Sequence, residues 1–203
     1  NSFLSQAGDD DVALVYYSGH GAQEESNGRF VDEQTGLIDC LVAFDGDRKS
    51  GFLLADKELR FLFSKFKNSP HLVTVFDCCH SGDIVRNFIE VKNDDQQTLS
   101  RRLNGAFPAR KYPEFIFCNE IAEGQLKQVP ITQLLPYKNS VHIGACHATE
   151  SSWEDAQGGV FTRYLLQLLK AKNGRISYQD ITKWAKISLR DMTRKKQTPI
   201  ISV

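Results

Sequence analysis

Three short runs, Val12-Ala13-Leu14-Val15-Tyr16-Tyr17, Leu72-Val73-Thr74-Val75-Phe76 and Val141-His142-Ile143-Gly144-Ala145, are almost continuously apolar and rich in β-branched and aromatic residues. Strands exposed on one face alternate apolar and polar residues. Runs like these suit strands covered on both faces, as in a parallel sheet. Helical patterns fall between and after them. Asp56 is placed to cap a helix from Lys57 to about Lys67, with Leu59, Phe63 and Phe66 on one face. A second amphipathic helix follows Gly159 through Phe161–Leu169. A third opens at Ser177 and repeats Ile181, Trp184, Ile187 and Leu189 down to about Lys195. Gln197-Thr198-Pro199-Ile200-Ile201 reads as a closing strand, with Pro199 placing it near an edge. Strands alternating with helices predict an α/β layered domain built on a mostly parallel sheet.

The 203 residues suit a single domain with a sizeable core. No apolar run approaches the roughly 18–20 residues of a membrane span, and the N-terminal Asn1-Ser2-Phe3-Leu4-Ser5 has no signal-peptide pattern. Lysine plus arginine equal aspartate plus glutamate at 25 each, yet residues 1–60 carry a net charge of −7. No basic stripe with interleaved aromatics points to nucleic acid. The five cysteines include the adjacent pair Cys78 and Cys79 and form no CxxC spacing, so neither a disulfide framework nor a structural zinc site is expected. A reducing compartment, the cytoplasm, fits this usage. Between about Val85 and Lys138 the periodicity weakens over a stretch too long for a simple loop, which predicts an insertion, a mobile loop or a small subdomain.

Two segments carry chemistry. Tyr16-Tyr17-Ser18-Gly19-His20-Gly21 and Val75-Phe76-Asp77-Cys78-Cys79-His80-Ser81-Gly82 each run from a buried strand into reactive and glycine residues. Ligands of parallel α/β sheets bind beyond the carboxyl ends of the strands, so the two segments should share a crevice. A thiol becomes strongly nucleophilic as thiolate, and an imidazole near neutrality can take and return a proton. Side chains alternate along a strand, so Asp77 and Cys79 share one side and Cys78 faces the core. Cys79 is therefore the candidate nucleophile. His80 should face away, His142 lies mid-strand, and His71, His147 and Trp153 are candidates for the rim or wall of the cleft.

Tyr-Ser-Gly-His-Gly followed by Asp-Cys-Cys-His-Ser-Gly resembles the caspase-like cysteine peptidases, in particular the metacaspase and prokaryotic caspase-homologue (orthocaspase) branch. The histidine precedes the cysteine by 59 positions. The likeness extends to Gly144-Ala145-Cys146, Glu150 to Glu154, Gly159-Val160-Phe161-Thr162 and Gln197-Thr198-Pro199. It implies a caspase-like three-layer sandwich, a mostly parallel sheet flanked by helices, with a first strand missing from this chain. It implies one peptidase domain over residues 1–203: a large-segment part at 1–84, an insertion or processing loop at 85–138, and a small-segment part at 139–203.

Carried over by position, the resemblance implies His20 as general acid/base and Cys79 as nucleophile. The backbone N–H groups of Gly21 and Cys79 would form the oxyanion hole, and Ser18 and Asp77 the floor of the S1 pocket, with Glu150 supplying a further acid. An acidic pocket selects Arg or Lys at P1. Arg101, Arg102, Arg110 and Lys111 are then candidate sites of self-cleavage, and protein substrates with a basic P1 are the expected partners. A regulatory partner or a missing N-terminal segment is the other expectation. The calcium site of metacaspases looks degraded, with Lys57 and Arg86 at positions where oxygen ligands are needed, so no metal or cofactor is expected. Two rival readings are a catalytically silent scaffold module and a zinc domain made of Cys78, Cys79, His80 and His20.

Overall fold

The computed structural model describes residues 6–43, 53–79, 99–136, 139–147, 150–193 and 197–202. Numbered along the chain, its strands are β1 (Val12–Ser18), β2 (Gly21–Glu25), β3 (Leu37–Val42), β4 (Leu53–Ala55), β5 (His71–Asp77), β6 (Leu99–Ser100), β7 (Arg102–Phe107), β8 (Ser140–Gly144), β9 (Trp153–Asp155), β10 (Gly158–Gly159) and β11 (Ile200–Ser202). The helices are α1 (Asp56–Phe63), α2 (Glu123–Leu126), α3 (Ile131–Leu134), α4 (Val160–Ala171) and α5 (Tyr178–Thr193).

The three apolar runs become β1, β5 and β8, parallel neighbours in a sheet of order β1-β5-β8-β11. β11 joins antiparallel at the edge, beside β8. Val73, Val75, Val141 and Ile143 pack against Phe161, Leu165, Ile181 and Leu189, so α4 and α5 cover one face. Each large apolar side chain buried there contributes roughly 1.5–3 kcal/mol. The register Ser18↔Asp77 and Phe76↔Gly144 brings the carboxyl ends of all three strands to one border of the sheet.

A second sheet of order β4-β3-β2-β7 grows from the chain just after His20, and a small third sheet has the order β10-β9-β6. The described part of the weakly periodic stretch, from residue 99 to 136, is woven into the fold. Phe115, Phe117, Ile121, Leu126 and Ile131 are buried with Ala22, Phe30, Ile38 and Phe61 in a second core. Beyond β7 its elements are four-residue helices and a short turn, too brief to print a period in the sequence.

Helix boundaries also shift from expectation. Asp56 is the first residue of α1 rather than its cap, and the helix ends at Phe63. Glu58 Oε2 accepts from the Ala55 N–H at 2.9 Å, and Asp56 Oδ1 accepts from the adjacent Lys57 N–H at 2.8 Å. Among the described residues no helix is long and apolar enough to cross a membrane.

Candidate active site

β1 and β5 deliver Ser18 and Asp77 side by side, and the chain beyond each strand carries His20 and Cys79 into the same border. The close approach needs glycine. A Cβ on Gly21 would overlap the carbonyl oxygen of Cys79. Tyr17 Oη lies 2.8 Å from both the His20 and the Val42 carbonyls, tying the histidine loop to β3. Burial first of all pushes the Tyr17 hydroxyl up to about 12, so it remains a donor at neutral pH. The His20 Nδ1 is buried and has no hydrogen-bond partner among the described residues.

Cys79 is buried, and its sulfur accepts from the Ser152 backbone N–H at 3.1 Å. A hydrogen bond with Cys146 is the main influence lowering its thiol to about 7; burial opposes this, and the Ser152 N–H and Ser100 hydroxyl add to it. Cys78 is buried too, and burial pushes its thiol well up, as suits a core cysteine.

The space beside Ser18 and Asp77 is filled by the chain itself. Arg101 Nη1 donates to Ser18 Oγ at 2.6 Å and to the Asp77 carbonyl at 2.8 Å, and lies 3.5 Å from Asp77 Oδ2. Its Nε donates to Glu154 Oε2 at 3.0 Å. The side chain is 7% exposed. The backbone is equally committed: Arg101 N–H donates to the Ser152 carbonyl at 3.0 Å, and Gly21 N–H donates to the Arg101 carbonyl at 2.9 Å. Upstream, Leu99 and Ser100 pair antiparallel with Glu154 and Trp153. Downstream, Arg102 starts β7, which runs parallel to β2 from the pair Gly21↔Arg102.

Asp77 is fully buried, and besides Arg101 it accepts from Ser152 Oγ at 2.6 Å and from the Thr162 N–H and hydroxyl at 3.0 and 2.6 Å. These donors satisfy both Asp77 oxygens and fix the carboxyl group beside the Arg101 guanidinium. Gly159 lines the same space: a Cβ there would overlap Asp77 Oδ2 and lie 2.8 Å from Arg101 Nη1.

The structure separates other candidates. Glu150 turns away from Arg101; its carboxylate accepts from the Thr198 N–H at 2.5 Å and the Thr198 hydroxyl at 3.1 Å, anchoring the approach to β11. The acid that reaches Arg101 is Glu154, on the strand edge that Leu99 pairs with. Arg110 pairs with Glu24 and Glu58, and the Lys111 N–H donates to Glu114, so both lie away from the cysteine's hydrogen-bond partners. His71 bonds Asn139 and Tyr178 at the amino end of β5, opposite the site, because that strand runs from His71 to Asp77. His142 bonds Thr74 across the sheet, and His147 is exposed. Trp153 packs against the α4–α5 core. Lys57 Nζ lies between Asp56 and Glu33, at 2.8 and 3.1 Å. Among the described residues no group of three or more His, Cys, Asp or Glu side chains is arranged to hold a metal. His80, Ser81, Gly82, Arg86 and Ala148 lie outside the described residues.

Ser152 was not singled out in the sequence, and Glu154 was named only as the end of a matching stretch, without a role. Each touches the site through register along β9 or the turn before it, and neither stands in a reactive motif. The chain's charge signal was the wrong size for one carboxylate to stand out.

The caspase domain family (Peptidase C14) matches residues 1–203. Metacaspase-3 of Trypanosoma cruzi is 29% identical over 199 residues, covering 95% of this chain and 49% of that protein. Metacaspase-2 of Trypanosoma brucei brucei is 40% identical over 75 residues, 37% of this chain and 20% of the relative. The chain thus spans about half or less of the length of these relatives. A crystal structure of a Geobacter sulfurreducens protein superposes with a TM-score of 0.61 at 23% identity, over 99% of this chain and 69% of the other, a likeness of fold.

Proposed function

Because the chain belongs to the caspase-domain family, we propose that it is a cysteine endopeptidase that cuts after Arg or Lys, with Cys79 as nucleophile and His20 as proton carrier. One observation supports this reading: a basic side chain and its own peptide group are bonded to the groups assigned above to the S1 floor and the oxyanion hole. The guanidinium meets Asp77, Ser18 and Glu154, while the carbonyl accepts from Gly21 N–H. Cys79 Sγ would add to a carbonyl carbon held there, and the Gly21 N–H would stabilise the developing oxyanion. His20 would give the departing amine its proton and then draw one from water; its uncommitted Nδ1 is consistent with that duty. The substrates are proteins or peptides with a basic P1. Of the four basic residues considered for self-cleavage, Arg101 is the one bonded to these groups, so the Arg101–Arg102 bond is the processing site.

Fluorogenic peptides differing only at P1 test the reading in wild-type, Cys79→Ala and Glu154→Gln chains. Arg and Lys peptides should be cut and Asp peptides not. Cys79→Ala should be silent, and Glu154→Gln should lose about tenfold in kcat/KM toward Arg, as one charge-assisted bond is weakened. Preference for Asp would overturn the pocket assignment, and turnover by Cys79→Ala the nucleophile. A chain that neither cuts itself nor any peptide would be the silent scaffold.

The pH dependence follows from the thiol. Its pKa is lowered to about 7, so the thiolate fraction, and with it the self-cleavage rate, should climb as pH rises through 7 and level off above 8 or so. Cys146→Ala removes the main hydrogen bond to that sulfur and should move the rising limb to higher pH. An unshifted limb would mean that Cys146 does not tune the nucleophile.

A further inference from the structure

The two sides of the Arg101–Arg102 bond are held independently. Upstream, Leu99 and Ser100 pair with β9, and Arg101 makes five polar contacts with Ser18, Asp77, Ser152 and Glu154. Through the 19 intervening residues this segment also stays joined to Cys79. Downstream, β7 hydrogen-bonds along β2 from Arg102 onward. Its end is fixed by Arg110, whose N–H and Nε both reach Glu24 at 2.8 Å and whose Nη2 reaches Glu58 at 3.1 Å. The chain then continues into the buried Phe115 and Phe117.

Resting on the basic-P1 reading above, we propose a second activity for this site: it reseals the Arg101–Arg102 bond as well as cutting it, so that the cleft opens to other substrates when Leu99–Arg101 is displaced, not when the bond is broken. In the forward direction, Cys79 Sγ bonds to the Arg101 carbonyl carbon and the C–N bond to Arg102 breaks. The thiol proton passes to the departing nitrogen, leaving a thioester and the Arg102 α-amine. Water then gives the Arg101 carboxylate and restores the thiol. In the reverse direction the carboxylate re-forms the thioester with loss of water, and the Arg102 amine displaces sulfur and returns the proton.

Ordinary peptide hydrolysis gains from the freedom of two separating products. Here neither product leaves, so that gain is absent and the cut and uncut forms lie closer to balance. The amine is positioned by the Gly21↔Arg102 pair, beside the N–H that holds the carbonyl. The high effective molarity of such an arrangement lets it compete with water for the thioester. The same retention keeps Arg101 in S1 as a tethered competitor at an effective concentration on the order of millimolar.

Two measurements test this. Full-length wild type is incubated in heavy-oxygen water, and intact chains are separated and digested with a protease that does not cut after arginine. The peptide spanning Arg101 and Arg102 should carry one heavy oxygen, and the label should be absent in Cys79→Ala. Label confined to cut chains would overturn resealing while leaving the peptidase reading in place. Second, Arg101→Ala cannot be cut at this bond and leaves S1 empty; with folding verified by circular dichroism, it should turn over an arginyl peptide about tenfold faster than wild type, or more. An Arg101→Ala chain that is inactive beside an active, self-cut wild type would show that cleavage itself opens the site. Should neither chain cut itself or any arginyl peptide, the basic-P1 reading falls and this proposal with it.

Discussion

Gly159→Ala should abolish cleavage after arginine, lowering kcat/KM by about a thousandfold, equivalent to about 4 kcal/mol. Gly159 sits at φ −62° and ψ 126°, a conformation any residue adopts, so the effect belongs to the added methyl and not to the backbone. That methyl would overlap Asp77 Oδ2 and come within 2.9 Å of the Arg101 guanidinium carbon. Asp77 cannot retreat, since Ser152 and Thr162 hold both of its oxygens. Relief of the overlap must come from the Gly159 backbone, and the methyl still takes the space of the guanidinium; a buried carboxylate separated from its cation is among the larger losses a site can suffer. Gly158 supplies the control. Its φ is +99°, but nothing lies within 4 Å of an added Cβ, so Gly158→Ala costs about 1 kcal/mol of backbone strain and leaves the pocket open. Kinetics on arginyl peptides with both variants distinguish the two effects. Wild-type kcat/KM in Gly159→Ala would mean that arginine binds elsewhere.

What the sequence disclosed follows from the range of its signals. β1, β5 and β8 were legible because continuous apolar runs are a local property, and the His20 and Cys79 segments because reactive residues directly follow those strands. Glu150 and Glu154 were not separable that way. Both lie on the same short stretch, and only the register of Leu99 against Glu154, set by a strand far away in sequence, decides which one reaches Arg101. Arg101 itself looked like any basic residue in a polar stretch, one of four. Its burial depends on Ser18, Asp77 and Ser152, which come from three different parts of the chain. The β2–β4 sheet and the second core were hidden for the same reason. Phe115 and Phe117 stack at 5.2 Å and pack with Phe30 and Phe61, a cluster without any helical or strand period of its own.

Arg110 shows how far a charge can move from its first reading, and its replacement should give the largest stability loss in the molecule. It was a candidate for cleavage because basic residues in polar stretches are usually exposed. Instead its guanidinium lies between Glu24 and Glu58, which are 0% and 1% exposed, and over the Phe115 ring at 4.3 Å. Glu58 also accepts from the Ala55 and Ile116 N–H groups, so one ion cluster joins the start of α1, β2 and the chain leading from β7. Arg110→Met keeps the aliphatic packing but strands two buried carboxylates. The expected cost is about 3–5 kcal/mol at pH 7, or a melting temperature lower by about 10 °C.

Denaturant unfolding at pH 7, in a Cys79→Ala background that keeps the chain uncut, measures the loss. A loss below about 1 kcal/mol would mean that the carboxylates find other partners. The consequence reaches the active site. Glu24 belongs to the strand that pairs with β7, and loosening this clamp frees the amine side of the Arg101–Arg102 bond. Arg110→Met restored to the Cys79 chain should then accumulate in the cut form, because the amine needed for resealing is no longer held against Gly21.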